Sequence, residues 1–399
     1  MKIAFITPEY VTSHHVDGGL ANYIKKTAAD LAGRGCEPWV FVSSRRDITW
    51  KDGLVTICEV PSTNGVLDFL EKLPAMGFIT PAFRKLSNAN ALALRFWGEH
   101  ARKPFDIIQI SSYGSCGYSL IENGEVPVVC RISSYTPHVR KAYGKGRSPY
   151  EYLTDRFEVQ QVLRADARFA PSQLLVKTFR QFFGCDSVLI RTTIDTHIPE
   201  LDYSYFSEKR PRGRYLLFFG TLSRIKGCDL LAEVLPPLLG KYPDLYCVLI
   251  GRDDGLPGGK KVSTHILSHC EPCRERIHFH PALPKPSLYP YLKNAEAVLV
   301  PSRVDNYPNV CLEAQYFGKP VIGTFGSSLE EMLEDGKTGF LAKNGDSGSL
   351  LLAVERFLEM DEGERLAMRR NILNKIEEVR REDPISQLLQ FYKAIIMNQ

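Results

Sequence analysis

Twice in this chain a short β-branched or aromatic run gives way to a glycine-containing loop and then to a helical pattern. The first run is residues 3–6. It is followed by Asp17-Gly18-Gly19-Leu20, by apolar positions spaced for a helix over 20–31, and by a further run at 40–42. The second run is residues 215–219, with a loop at 220–227 and a helix over 230–239. Strands of this length cannot be joined in parallel by a tight turn, so each unit implies a crossover helix and a buried parallel sheet. Runs at 107–110 and 126–130 extend the first sheet. Runs at 247–250, 277–279, 297–300 and 320–323 extend the second. The expectation is an α/β protein of two similar domains.

Size agrees with two cores: 399 residues, 44% of them hydrophobic and 24% charged, at about 150 residues per domain. Residues 198–213 carry Pro199, Pro211 and Gly213, lack a clear period and read as the linker. The first domain is therefore expected over 1–200 and the second over 213–383. Beyond Asp361 the chain reads as charged helix.

Other classes are set aside on elementary grounds. No apolar run approaches the roughly 18–20 residues of a membrane span. The opening MKIAFITPEY reads as a first strand and not a secretory leader. A net charge of +4 is too mild to argue for nucleic acid. Ten scattered cysteines in a chain this long suggest free thiols in a reducing, cytoplasmic setting.

Three stretches carry chemistry. In VPSRVDNYPNVCLEAQYFGKPVIG, residues 300–323, a strand leads through a polar loop to a helix starting near Asn309. Asp305 lies in the loop and Glu313 in the first turns of the helix. Free N–H groups at a helix start attract anions or sugar oxygens, and two carboxylates there suit hydroxyl groups. Asn306, Tyr307, Asn309 and Val310 are the neighbouring candidates. On spacing alone, Asp305 reads equally as a loop cap and Glu313 as a solvated helix residue. In GTLSRIKG, residues 220–227, Gly220 and Gly227 permit a tight turn. Thr221, Arg224 and Lys226 lie between them, and the two cations suit a diphosphate. This is not a G-x-x-x-x-G-K-[ST] loop, because here the glycine follows the lysine. Gly18 and Gly19 let backbone approach a ligand closely, or serve as plain turn punctuation.

Together these stretches resemble the retaining GT-B glycosyltransferases of family 4, the group 1 glycosyl transferases. The likeness runs from GTLSRIKGCD through VLVPSRVDNYPNVCLEAQYFGKPVIGT to EEMLEDGKTGFL and includes the amino-terminal strand–GGL–helix. The resemblance implies a GT-B fold, with two Rossmann-like domains whose parallel sheets face a central cleft. The amino-terminal domain would hold the acceptor, with 384–399 returning to it, and the carboxy-terminal domain the nucleotide sugar. Asp305 and Glu313 stand at the two ends of the family's E-x7-E motif, Asp replacing the first Glu. By the resemblance, Asp305 lies near the donor sugar and Glu313 binds the nucleotide ribose. Lys226 neutralises the donor pyrophosphate, and Gly19 lets the amino-terminal loop approach phosphate and acceptor.

The sequence departs from the family at three places. Thr221 replaces the arginine after the strand-ending glycine. Arg191-Thr192-Thr193 precedes Asp195 where Pro-Asn-Gly is usual. Ser111, Ser112 and Tyr113 stand where a histidine would face the donor sugar. Candidate acceptor residues are His14, His15, Ser111, Tyr113 and His138.

The reaction implied is sugar transfer with retention from a nucleotide-diphosphate sugar, UDP favoured, to a glycan, lipid-linked or small-molecule acceptor. It needs no metal and no cofactor beyond the donor, and it belongs to surface glycan or glycolipid synthesis. Two rival readings stay open: a non-transferring epimerase or hydrolase of this fold, and a silent sugar-nucleotide-binding scaffold. Two basic stretches, 82–103 and 131–147, suggest contact with an anionic membrane surface or a charged acceptor, or else solvated helix faces. Cys270, Cys273 and His278 have a zinc-like spacing, but the segment reads better as helix followed by strand.

Overall fold

The computed structural model describes residues 1–11, 18–61, 80–144, 149–193 and 198–398. They form two compact units. One comprises Met1–Arg140, Lys145–Thr193 and Asp383–Gln399; the other comprises Lys141–Gly144 and Ile194–Glu382.

The first unit is built on eight strands: β1 (Lys2–Thr7), β2 (Glu37–Ser44), β3 (Ile48–Asp52), β4 (Val55–Pro61), β5 (Ile107–Ser111), β6 (Val128–Arg131), β7 (Ala167–Ala170) and β8 (Val188–Leu189). Their order across the sheet is β3-β4-β2-β1-β5-β6-β7-β8. All pairings are parallel except β3 with β4. Every residue of β1 and of β5 is buried, as expected for strands covered on both faces. The helix Gly19–Gly33 turns Tyr23, Ile24, Ala28 and Leu31 onto that sheet. A fully buried side chain of this size contributes about 1.5–3 kcal/mol.

The helix Pro384–Met397 also packs in this unit, with Ile385, Leu388 and Tyr392 buried in the cluster that holds Ile3, Phe5 and Ile24. Tyr392 donates a hydrogen bond to Gln109 Oε1 on β5. Asp383 caps the helix by accepting from Ser386 N–H at 3.1 Å and receives both Nη atoms of Arg34 at 2.8 Å.

The second unit carries β9 (Arg214–Phe219), β10 (Leu222–Ser223), β11 (Leu245–Ile250), β12 (Asp253–Gly255), β13 (Ile277–His280), β14 (Ala297–Val300), β15 (Val321–Thr324) and β16 (Gly339–Ala342). Six of them form a parallel sheet in the order β13-β11-β9-β14-β15-β16, and β10 pairs with β12 separately. The helix Leu231–Lys241, entered through a short 3-10 turn at Cys228–Leu230, buries Leu231, Leu235, Leu238 and Leu239 on this sheet.

Two readings of the sequence need correction. Residues 198–213 are not bare linker. They contain the helix Ser204–Lys209, whose buried Phe206 packs edge-on against Tyr291 at 4.9 Å, an anchor hidden by the lack of periodicity around it. The basic residues of 82–103 are not a free cationic face. Lys85 pairs with Glu158, Arg95 with Asp47 and Glu99, Arg102 with Glu99, and Lys103 with Glu37. All ten cysteines are free thiols, nine of them buried. Cys270 and Cys273 belong to the apolar core beside the helix Val262–His269, and His278 lies on β13. Among the described residues no group of three or more His, Cys, Asp or Glu is placed to hold a metal. No described helix is long and apolar enough to cross a membrane.

Candidate active site

The second unit joins two of the three sequence stretches at the carboxy-terminal ends of β9 and β14. After Phe219 the chain turns at Gly220 (φ 127°), continues through half-buried Thr221, and turns again at Gly227 (φ 71°). A Cβ on Gly227 would lie 1.9 Å from the carbonyl oxygen of Pro301. Only glycine can take both that left-handed backbone and that approach, so the 220–227 loop is pressed onto the end of β14.

Arg303, which sequence reasoning did not single out, fastens the same seam. Its N–H donates to the Ile225 carbonyl at 2.7 Å. Its Nη1 donates to the Arg224 carbonyl at 2.9 Å and to Asp229 Oδ1 at 2.5 Å. The only advance signal was its position, three residues beyond the end of β14.

Across this seam Lys226 Nζ donates to Asp305 Oδ2 at 2.7 Å, and the Ser302 hydroxyl donates to the same oxygen at 3.0 Å. The Asn306 N–H donates to Asp305 Oδ1 at 3.1 Å. Both carboxylate oxygens are thus engaged, while the lysine side chain stays 34% exposed. Arg224 is half-buried in the same turn and its carbonyl also accepts from Gly227 N–H at 3.0 Å.

Tyr307 is buried at φ 59°, and its N–H donates to the Ser328 hydroxyl at 2.6 Å. A non-glycine residue in this region is held there by its surroundings. Tyr307 and Pro308 set the start of the helix Asn309–Tyr316, which no side chain caps. Its first residues, Asn309 and Val310, lie where amides have no intrahelical partner. Glu313 stands one turn further on. Its Oε1 accepts from the Tyr289 hydroxyl at 3.4 Å and lies 3.6 Å from Lys285 Nζ. These two contacts of Glu313 are not shared with Asp305. A half-exposed cation beside an uncapped helix start suits a phosphate group, and a carboxylate one turn away suits hydroxyls.

In the first unit, Gly18 precedes the helix Gly19–Gly33, and a Cβ there would fall 2.7 Å from Glu9 Oε1. That same oxygen accepts from Ala21 N–H at 3.2 Å. Sequence reasoning left this helix start open for a ligand, but a carboxylate of the chain already meets part of it. A Cβ on Gly19 would meet open space.

Ser111 ends β5, and its Oγ lies 2.9 Å from Ser133 Oγ. Tyr113 is 46% exposed, and its N–H donates to Ser111 Oγ at 3.3 Å. His138 packs its ring edge-on to Tyr135 at 4.7 Å and to Phe182 at 5.9 Å, so it belongs to an aromatic cluster. His14 and His15 lie outside the described residues, as does Asp195.

Two parallel α/β units, one closed by a returning helix and one carrying this seam, define the GT-B fold. Residues 17–198 match the glycosyltransferase family 4 model and residues 204–375 the model for glycosyl transferases group 1. The D-inositol 3-phosphate glycosyltransferase of Xylanimonas cellulosilytica is 24% identical over 379 residues, 88% of each chain. That of Acidothermus cellulolyticus is 25% identical over 358 residues, 86% of this chain and 78% of its own. Among solved structures, sucrose-phosphate synthase from Thermosynechococcus elongatus superposes with a TM-score of 0.80 at 17% identity, over the whole of both chains. Anabaena HepE in complex with UDP-glucose superposes with a TM-score of 0.71 at 18% identity, over 98% of this chain and 99% of its own. The chain belongs to the GT-B glycosyltransferases of the family 4 type.

Proposed function

We propose that this glycosyltransferase takes its sugar from a nucleotide-diphosphate donor, UDP favoured, held by the second unit, and transfers it with retention at the anomeric carbon. The observation that carries the reading is the Lys226–Asp305 contact at 2.7 Å, which puts a half-exposed cation next to the uncapped start of the helix Asn309–Tyr316. As the glycosidic bond breaks, negative charge builds on the leaving diphosphate. Lys226, with Arg224 in the same turn, stabilises that charge, and the stabilisation grows toward the transition state. Glu313 takes the ribose hydroxyls as a carboxylate acceptor.

The acceptor hydroxyl attacks on the face the diphosphate leaves, and a phosphate oxygen takes its proton. This route draws on no catalytic histidine, which suits a chain with Ser111 at the end of β5. It asks for no metal or cofactor beyond the donor. UDP-glucose in the Anabaena protein supports the uridine choice. The relatives that act on D-inositol 3-phosphate support a small, hydroxyl-rich acceptor in the first unit. The ion-paired cations of 82–103 lend no weight to a membrane-docked acceptor.

The test is thermal-shift binding across UDP-, GDP-, ADP- and dTDP-sugars, repeated with Glu313→Ala. Stabilisation by the uridine series alone, lost in the variant, is the expected result. Equal stabilisation of both proteins would move the nucleotide away from Glu313.

A further inference from the structure

The second unit holds a cavity of about 450 Å³ at the end of its sheet away from Lys226. Tyr215, at the start of β9, and Asn294, at the end of the helix Lys285–Asn294, both line it. The 220–227 loop leaves the other end of β9. That strand has six residues, so at about 3.3 Å each its two ends lie roughly 17 Å apart. The cavity is therefore separate from the Lys226–Asp305 seam.

Its floor is apolar. Phe206, Pro211 and Tyr215 are buried, and the Tyr215 hydroxyl donates to the Tyr291 carbonyl at 2.6 Å. Its rim is polar, with Ser207, Arg210, Arg212 and Asn294 exposed. The backbone holds both arginines in place. Arg210 ends the helix Ser204–Lys209, and its N–H donates to the Phe206 carbonyl at 2.8 Å. Pro211 then locks φ. A Cβ on Gly213 would lie 2.3 Å from the Asp244 carbonyl oxygen, so the chain enters β9 pressed against its neighbour. Arg212 sits between these two anchors.

Among the described residues no carboxylate pairs with Arg210 or Arg212. The acids beside them are engaged: Glu208 with Lys209 at 2.7 Å, and Asp244 with Arg214 at 2.7 Å. Asp202 accepts from the Ser204 and Ser287 hydroxyls. Two uncompensated guanidinium groups, two residues apart, can each donate paired hydrogen bonds to phosphate oxygens. Ser207 adds a hydroxyl. Asn294 gives one amide hydrogen to the Pro290 carbonyl at 2.8 Å and has a second to offer. The volume falls within the about 300–1,000 Å³ usual for small-molecule sites, and Phe206 and Tyr215 offer apolar surface to the body of a ligand.

We propose that this cavity is a second anion site, which binds the phosphate group of a small metabolite or of a lipid headgroup. It stands whether or not the second unit takes a nucleotide sugar.

The test is calorimetric titration of the full chain, saturated with UDP, with inorganic phosphate, glycerol 3-phosphate and glycerol, beside sedimentation with phosphatidylglycerol vesicles. Both are repeated in Arg210→Gln, Arg212→Gln and Lys226→Ala. Saturable binding of a phosphate probe but not of glycerol is expected, kept in Lys226→Ala and weakened about tenfold or more by either arginine substitution. Arginine-dependent binding of the soluble phosphates assigns the site to a metabolite, and of the vesicles alone to a headgroup. Both arginines are exposed, so their variants should melt with the wild type and bind UDP-glucose as it does. Binding lost in Lys226→Ala would send the phosphate to the seam and overturn the proposal. So would binding unchanged in both arginine variants, or no binding of phosphates and vesicles by the wild type. A wild type that binds no UDP-sugar, yet shows the arginine-dependent phosphate binding, would sink the donor reading and leave this site standing.

Discussion

Lys226 and Asp305, seventy-nine residues apart, meet at 2.7 Å between two loops that leave neighbouring strands of one sheet. The lysine expected to hold a diphosphate is paired with a carboxylate of the chain. A donor phosphate must therefore compete with Asp305 for Lys226, and the two residues should respond differently to substitution.

Lys226→Ala should lower turnover by about 10²-fold or more, the scale on which a single preorganised charge-stabilising group acts. Asp305→Asn keeps the shape and the Ser302 contact but removes the competing charge. Its donor KM should stay level or fall while kcat drops. Steady-state kinetics on both variants checks this, and a raised KM in Asp305→Asn would contradict the competition.

Glu313→Ala should abolish donor use while shifting the melting temperature by only a few degrees. The Glu313 side chain is 20% exposed, and two of its contacts, the Tyr289 hydroxyl at 3.4 Å and Lys285 at 3.6 Å, are long. Bonds of that length contribute little to the fold. Donor titration and thermal melting of one sample separate the two effects.

Gly227→Ala should be far more disruptive than its size suggests. The added methyl would meet the Pro301 carbonyl at 1.9 Å in a backbone region that alanine resists. A loss of roughly 1–3 kcal/mol is expected from the backbone conformation alone, with more from the clash. Gly220→Ala, where a Cβ meets open space, should be milder, and chemical denaturation of the pair tests the contrast.

The stability of the second unit should fall on mild acidification. Burial pushes the His280 pKa down to about 4, with His278 and Lys209 adding to the shift, while an unfolded histidine titrates near 6.5. The unfolded chain thus binds the proton first. The full stability is present above about pH 6.5 and is lost progressively as pH falls toward 4, by about 1–3 kcal/mol in all. His280→Gln should flatten that slope in melts recorded from pH 7 to 4.

Much of the architecture was legible because β9 and β14 are short apolar runs bounded by glycine and proline, a pattern that depends on local sequence. The loops bearing Lys226 and Asp305 could be named for the same reason. Other features depend on long-range partners and left no local trace. The edge strand β3, ITWKD, is mostly exposed and carries no apolar run; its place comes from antiparallel pairing with β4. Glu9 is one acid in a loop until the chain folds it under Gly18. Arg131 looked like one more member of a basic surface stretch. Its burial follows from ending a central strand beside Tyr23, which no periodicity announces.

The helix Pro384–Met397, pinned by Asp383 to Arg34 and buried through Ile385, Leu388 and Tyr392, bears on how the protein is made. Its docking partners Ile3, Phe5 and Ile24 leave the ribosome well before it and must wait for it. At about 5–20 residues per second, that interval is on the order of tens of seconds. Throughout it, the face of the first sheet that Tyr392 will cover lies bare, while Ile194–Glu382 has all of its own strands. The second unit can therefore mature on the ribosome before the first, and the nascent amino-terminal half is the stretch a holding chaperone would meet.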